Sequence, residues 1–146
     1  MTTPLSKKKK KSKVIIFSLV YYPQFVGGAE VALKEITDRI LPDEIEFHMV
    51  TLRIDNHLAR FEKIGNVHLH RVGFSISSPD LNKPRSFFML FNKFLFPFLS
   101  CFMVSGLHRK ESFDTVWAMM ANYAGLGALF FKWLHSKVRF VLTLQE

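Results

Sequence analysis

Alternating strand and helix patterns mark this 146-residue chain as an α/β protein with a parallel sheet. Five short runs rich in Val, Ile, Leu and Phe are separated by helical patterns, the rhythm of βαβ units. The first run, Val-Ile-Ile-Phe-Ser-Leu-Val over residues 14–20, lacks the polar alternation of a half-exposed strand, so it reads as buried on both faces. It leads into Gly27-Gly28 and then an amphipathic stretch, the order expected of a strand, a tight turn and a helix start.

Each element has its own warrant. The first helix is expected over residues 29–41, with Ala29, Ala32, Leu33, Ile36 and Ile40 on one face and Pro42-Asp43 as its stop. Glu35 with Arg39, and Lys34 with Asp38, fall at i,i+4 on the solvent side. A second strand covers residues 46–52 and a third residues 68–72, the latter introduced by the Gly65-Asn66 turn. Residues 75–85, with Pro79 and Pro84, read as a loop. The phenylalanine-rich stretch 87–107 carries a single charge, Lys93. Its length would permit a membrane span, but Asn92, Lys93, Pro97, Ser100 and Ser105 favour a buried or membrane-surface helix kinked near Pro97. A fourth strand over 115–119, a helix over 123–135 with small residues Ala124, Gly125, Gly127 and Ala128, and a fifth strand over 139–144 complete the chain.

Composition bounds the function. The net charge is +8, but Lys7, Lys8, Lys9, Lys10, Lys11 and Lys13 supply six of the 20 basic side chains. The remaining 14 nearly balance 12 acidic ones, so nucleic acid is not an expected partner. Residues 1–13 are expected to be a disordered lysine-rich leader, with Lys7–Lys11 a contact for an anionic membrane surface, and residues 14–146 one domain. The apolar run after the lysines is short and no small-residue cleavage site follows, so it is not a secretory signal. The single cysteine, Cys101, lies among Phe, Leu and Met and is expected to be a buried thiol.

The Gly-Gly turn is the first place where chemistry can sit. A helix start over such a turn points unpaired N–H groups at an anion. The third glycine of a dinucleotide fingerprint and the Lys-Ser/Thr of a P-loop are both missing, which disfavours nucleotide-dependent oxidoreduction and ATP hydrolysis. His68 and His70 share one strand face, but no third ligand has suitable spacing, and no metal site is expected.

Taken in order, Tyr22-Pro23, Gly27-Gly28-Ala29-Glu30, Phe113-Asp114-Thr115-Val116, Tyr123-Ala124-Gly125-Leu126 and Val141-Leu142-Thr143-Leu144 resemble the N-terminal domain of family 4 glycosyltransferases. That family has the two-domain GT-B architecture, each half a Rossmann-like parallel sheet with flanking helices. The resemblance implies a loop of Gly27, Gly28 and Glu30 facing the donor diphosphate or the acceptor. It also implies an acceptor cleft at Trp117, Met119, Asn122, Tyr123, Gln145 and Glu146. Where the family often has His-x-His this chain has Trp117 and Met119, and where a His follows the last strand it has Gln145 then Glu146. Asn122, Gln145 and Glu146 are the groups left to bond a sugar hydroxyl.

The resemblance further implies a sugar or lipid-linked acceptor, a nucleotide-sugar donor held by a C-terminal domain, transfer with retention, and no cofactor or obligatory metal. The chain is then expected to be a truncated acceptor-binding half, inactive alone, cytoplasmic and peripheral at the inner face of the membrane. The alternative is a non-catalytic membrane-surface module of the same fold.

Overall fold

The computed structural model describes residues 10–23, 25–75, 77 and 87–144. Among them the chain runs β1 (Ser12–Phe17), α1 (Gly28–Arg39), β2 (Ile45–Leu52), β3 (Phe61–Ile64), β4 (Val67–Val72), α2 (Phe87–Glu111), β5 (Thr115–Met119), α3 (Tyr123–Leu134) and β6 (Arg139–Thr143). The strands make one sheet in the order β3-β4-β2-β1-β5-β6. All neighbours are parallel except β3 and β4. This is the Rossmann-like architecture that the strand and helix alternation implies.

The apolar first strand forms for the reason its composition gives. It has a strand on each side and helices on each face, and Ile15, Ile16 and Phe17 have no solvent exposure. Ile15 and Phe17 pack with Phe96, Val104, Ala128 and Phe131 beneath α2 and α3, while Val14 and Ile16 pack with Leu33 of α1. Full burial of such a side chain is worth roughly 1.5–3 kcal/mol. The strand starts at Ser12, inside what reads as leader, and stops at Phe17, short of Val20. At its start, Lys13 N–H donates to Asp114 Oδ2 at 2.9 Å, so the Phe113-Asp114 motif anchors β1 to β5. At its end, the Ser18 hydroxyl donates to Val20 O at 2.9 Å and turns the chain out of the sheet.

Strand β3 is absent from the sequence expectation, which has five strands rather than six. Gly65-Asn66 closes a hairpin between β3 and β4 instead of merely introducing one strand. Phe61–Ile64 carries Glu62 and Lys63 in a short edge strand, which weakens its apolar pattern and also protects the edge. Gly65 adopts φ +56°, a region that costs glycine nothing. The Asn66 amide donates to Thr37 O and Ile40 O at 3.1 and 2.8 Å, so the hairpin turn also closes the C-terminal end of α1. The helix face differs by one position from expectation: Leu33 and Thr37 are buried and Ile36 is exposed.

Helix α2 runs through Pro97 as one element of 25 residues. One side, with Met89, Asn92, Phe96, Ser100, Cys101 and Val104, is buried against the sheet and α3. Asn92 is tolerated there because Phe74 N–H donates to its Oδ1 at 2.8 Å and its Nδ2 donates to Phe88 O at 3.1 Å. Cys101 is buried as expected, and burial raises its thiol pKa. Helix α3 lies close against α2 because Gly127 has no side chain. A β-carbon there would stand 2.5 Å from the Ser100 hydroxyl and 3.3 Å from both the Pro97 Cα and the Phe17 ring.

Those neighbours are a buried hydroxyl, backbone and a fully buried ring, so Gly127→Val has nowhere to place its methyl groups. The substitution should lower stability by about 1–3 kcal/mol, read as a fall in the urea midpoint. An unchanged midpoint would mean that α2 and α3 are not in this contact.

Candidate functional site

The strand order reverses at β1: the chain first moves outward through β2 and β4, then crosses by α2 to β5 on the other side. In a parallel sheet the loops leaving the two sides of such a reversal diverge, opening a crevice at the carboxyl ends of the strands. A cavity of about 260 Å³ lies there. The chain after β1 contributes Ser18, Leu19 and Val20, the chain after β5 contributes Met120 and Asn122, and Met119 ends β5 itself. Helix α2 lays Met89 and Lys93 along one wall, and Glu30 comes from the first turn of α1. The lining is therefore apolar with four convergent polar side chains: a hydroxyl, a carboxylate, an ammonium and an amide.

Met120 takes φ +69°, a conformation that residues with a β-carbon rarely adopt. It sits between Met119, the last residue of β5, and the Asn122 that caps α3. A close approach accounts for the neighbouring glycine, since a β-carbon on Gly125 would stand 2.9 Å from Met120 O. The β5–α3 turn is thus tightly held at the cavity mouth.

The expected site residues distribute unevenly around this cavity. Met119, Asn122 and Glu30 line it. Asn122 is also the N-cap of α3, its Oδ1 accepting from Ala124 N–H at 2.8 Å while its Nδ2 donates to the Met120 Sδ at 4.0 Å. Trp117 lies back from the edge by two residues, on the sheet face beside Ile36, Ile40 and Val141. Its indole N–H donates to Thr143 Oγ1 at 2.8 Å, so it braces β5 against β6 and is not a cavity residue. Tyr123 opens α3 without lining the cavity. Gln145 and Glu146 lie outside the described residues, as do Lys7, Lys8 and Lys9 of the leader. Of the remaining leader lysines, Lys10 is exposed and Lys11 pairs with Glu46 at 2.9 Å.

Neither Gly27 nor Gly28 takes positive φ, so the backbone does not demand glycine at the turn. Gly27 is the N-cap of α1 with φ −102° and ψ 178°, and its N–H donates to Glu30 Oε2 at 2.9 Å. The carboxylate of Glu30 thus folds back over the helix start, where the sequence pattern places an exogenous anion. A β-carbon on Gly28 would meet nothing within 4 Å, leaving open space above it.

Lys93, Ser18 and Met89 are cavity residues that the sequence pattern does not single out. One cue for Lys93 exists: it is i+4 from Met89 and is the lone charge in the apolar stretch 87–107.

A second polar cluster occupies the other end of the sheet. His68 and His70 are joined by His48, because β2 and β4 pair in a register that sets His48 opposite His68. His48 Nδ1 and His70 Nε2 are 3.1 Å apart, and His48 Nε2 lies 2.9 Å from Glu46 Oε1. Glu46, His48 and Glu111 bring ligand-type atoms within 4.8 Å of one another, a group from β2 and the end of α2 that includes neither His68 nor His70. The ammonium of Lys13 pairs with both Glu46 and Glu111 and supplies the positive charge between them. The hydrogen bond from His48 and then the Lys11 ammonium hold the Glu46 carboxyl down to about 2. Burial, reinforced by the charges of His48 and His68, pushes His70 down to about 4.

No protein-family model matches the sequence, and no curated protein matches it. Among solved structures, the chain is similar to sucrose-phosphate synthase from Thermosynechococcus elongatus, with a TM-score of 0.59 and 10% sequence identity. The match covers 93% of this chain and 33% of that one, so this chain spans about a third of the length of the protein it matches. The likeness is one of fold, a mostly parallel Rossmann-like α/β sheet of the kind that makes one GT-B half-domain.

Two outcomes follow from these geometries. Asn122→Ala removes the α3 cap and should cost about 1 kcal/mol, visible as a lower melting temperature. An unaltered melting temperature would show that the amide does not cap the helix. Because the His70 pKa is depressed on folding, the unfolded chain takes up that proton first. Its contribution to stability is complete above the ordinary value of 6.5 and is lost as pH falls from there towards 4. Melting temperature should therefore decline across that window, and His70→Gln should make the decline shallower. An identical slope in the variant would remove His70 as a source of the acid sensitivity.

Proposed function

We propose that this chain is the acceptor-side half of a retaining, nucleotide-sugar-dependent glycosyltransferase of the family 4 type. The observation that carries the reading is the cavity at the strand-order reversal, on a fold shared with one third of a sucrose-phosphate synthase chain. Its chemistry suits a sugar. Leu19, Phe25 and Met119 offer apolar surface to the C–H face of a pyranose, and Glu30, Lys93 and the Asn122 Nδ2 reach for hydroxyls. Such a few fixed polar groups in an apolar lining orient a ligand. The open space over Gly28 leaves the backbone approachable from the same edge.

In this reading the nucleotide-sugar is held by a second α/β domain, and the ordered pieces of both halves bring acceptor and donor into line. The acceptor is a sugar or a lipid-linked sugar, Gln145 and Glu146 are further acceptor-contacting residues in this reading, and no cofactor or metal takes part. This chain alone therefore binds acceptor without turning over donor.

Titrating the isotopically labelled chain with a panel of saccharides and nucleotide-sugars tests this by amide NMR. Saccharides should shift the amides of Ser18, Leu19 and Met120, Lys93→Met should weaken that binding roughly tenfold, and no nucleotide-sugar should be consumed. Gly28→Val should leave the melting temperature nearly unchanged and weaken saccharide binding, since its side chain enters open space. Turnover of a nucleotide-sugar by the chain alone, or cavity amides that ignore every saccharide, would overturn the proposal.

A further inference from the structure

Helix α2 presents two unlike sides. The buried side is spent on the sheet, with Asn92 fully hydrogen-bonded inside the domain. On the opposite side Phe87, Phe91, Phe94, Phe98 and Phe102 follow one another at intervals of four, three, four and four, and all are exposed. That spacing is a single stripe along the helix, about 22 Å long at 1.5 Å per residue. Phe87 and Phe102 are each 85% exposed. Helix α3 adds Leu129, Trp133 and Leu134 alongside, with Trp133 83% exposed. Between the helices lies an apolar groove of about 640 Å³ whose walls include Phe98, Phe102, Phe130 and Trp133.

A surface this apolar calls for an occupant, and its charges indicate which. Among the residues of α2 and α3 there is one acidic side chain, Glu111, and Lys13 already holds it. The stripe continues from Phe102 through Ser105 to Arg109, which lines the end of the groove, and Lys110 follows. Among the described residues neither Arg109 nor Lys110 has an ion-pair partner. The Lys13–Glu111 pair fixes the start of β1 beside this same end of α2. Arg109 and Lys110 are therefore the cations that stand where the aromatic stripe ends.

We propose that the outer face of the α2–α3 layer docks on an anionic phospholipid bilayer, with both helices lying in the plane of the interface. Phe and Trp side chains enter the headgroup–acyl boundary, and Arg109 and Lys110 meet lipid phosphates, at roughly 1 kcal/mol per basic residue. Helix α2 does not cross the bilayer, although its length and apolar character would allow it. Its buried side is committed to the sheet, so only one side is free to meet lipid. A second copy is a poor occupant, because a face with no free carboxylate offers its own Arg109 and Lys110 no partner. The inference stands on this face alone and is independent of glycosyl transfer.

The chain has two tryptophans, Trp117 on the α1 side of the sheet and Trp133 on this face, which gives a local reporter. The full chain carrying Trp117→Phe is mixed with phosphatidylcholine vesicles with or without phosphatidylglycerol, in versions with brominated acyl chains. Trp133 emission should shift to the blue and be quenched by the bromolipid on the anionic vesicles, with binding weakened by salt. Exposed-site variants should keep the circular dichroism of the parent. Phe98→Ser with Phe102→Ser should weaken vesicle binding by roughly tenfold or more, and Arg109→Ser with Lys110→Ser roughly tenfold. Absence of binding, equal binding to uncharged vesicles, or binding that leaves Trp133 unquenched would overturn the proposal. So would a blue shift that grows with protein concentration in the absence of lipid and accompanies a doubled mass, which would assign the face to a second copy.

Discussion

Strand β1 has to be covered on both faces, and most of the architecture answers that requirement. With Ile15, Ile16 and Phe17 wholly buried, the strand takes β2 on one side, β5 on the other, α1 above and the α2–α3 pair below. Occupying the centre also makes β1 the place where strand order reverses. The same burial that stabilises the domain therefore creates the crevice at its carboxyl edge. Gly127 lets α3 press against Pro97 and Phe17, so the layer below β1 is closely packed rather than merely apolar.

The two ends of the sheet have been given different work. At the carboxyl edge the polar groups converge on space: Ser18, Glu30, Lys93 and Asn122 surround a cavity. At the amino edge they converge on one another, with His48 bonded to His70 and Glu46, and Lys13 paired to Glu46 and Glu111. A cluster that satisfies its own charges is a structural tie, here joining β1, β2, β4 and the end of α2. Burial lowers the pKa of both His68 and His70, which favours their neutral imidazoles within this tie.

Helix α2 links three demands in one element. Met89 and Lys93 serve the cavity, Phe96, Ser100 and Val104 serve the core, and Phe94, Phe98 and Phe102 serve the outer face. Its hydrophobicity is consequently spread all round, and the usual polar side of a surface helix is missing. That distribution explains why its composition alone resembles a membrane span.

Strand identities, the α1 pairs Lys34–Asp38 and Glu35–Arg39, the buried Cys101 and the small residues of α3 were legible in the chain, because each depends on local period or composition. The edge strand β3 was not, since Glu62 and Lys63 are placed there for exposure and for the Glu62–Arg71 pair rather than for a core. Glu30, Met119 and Asn122 were named only through the family resemblance, and all three line the cavity. Lys93 could not be named, because a lone charge in an apolar helix says nothing about what it faces until the helix is docked. Trp117 shows the converse: its place in a motif pointed to a cleft, and the pairing of β5 with β6 turned its indole to Thr143 instead. The third histidine came from register between β2 and β4, a relation across some twenty residues that no local pattern encodes. Periodicity reports which side of an element is apolar; which apolar side is left uncovered depends on how the elements stack, and that is why the free face of α2 and α3 emerged from packing alone.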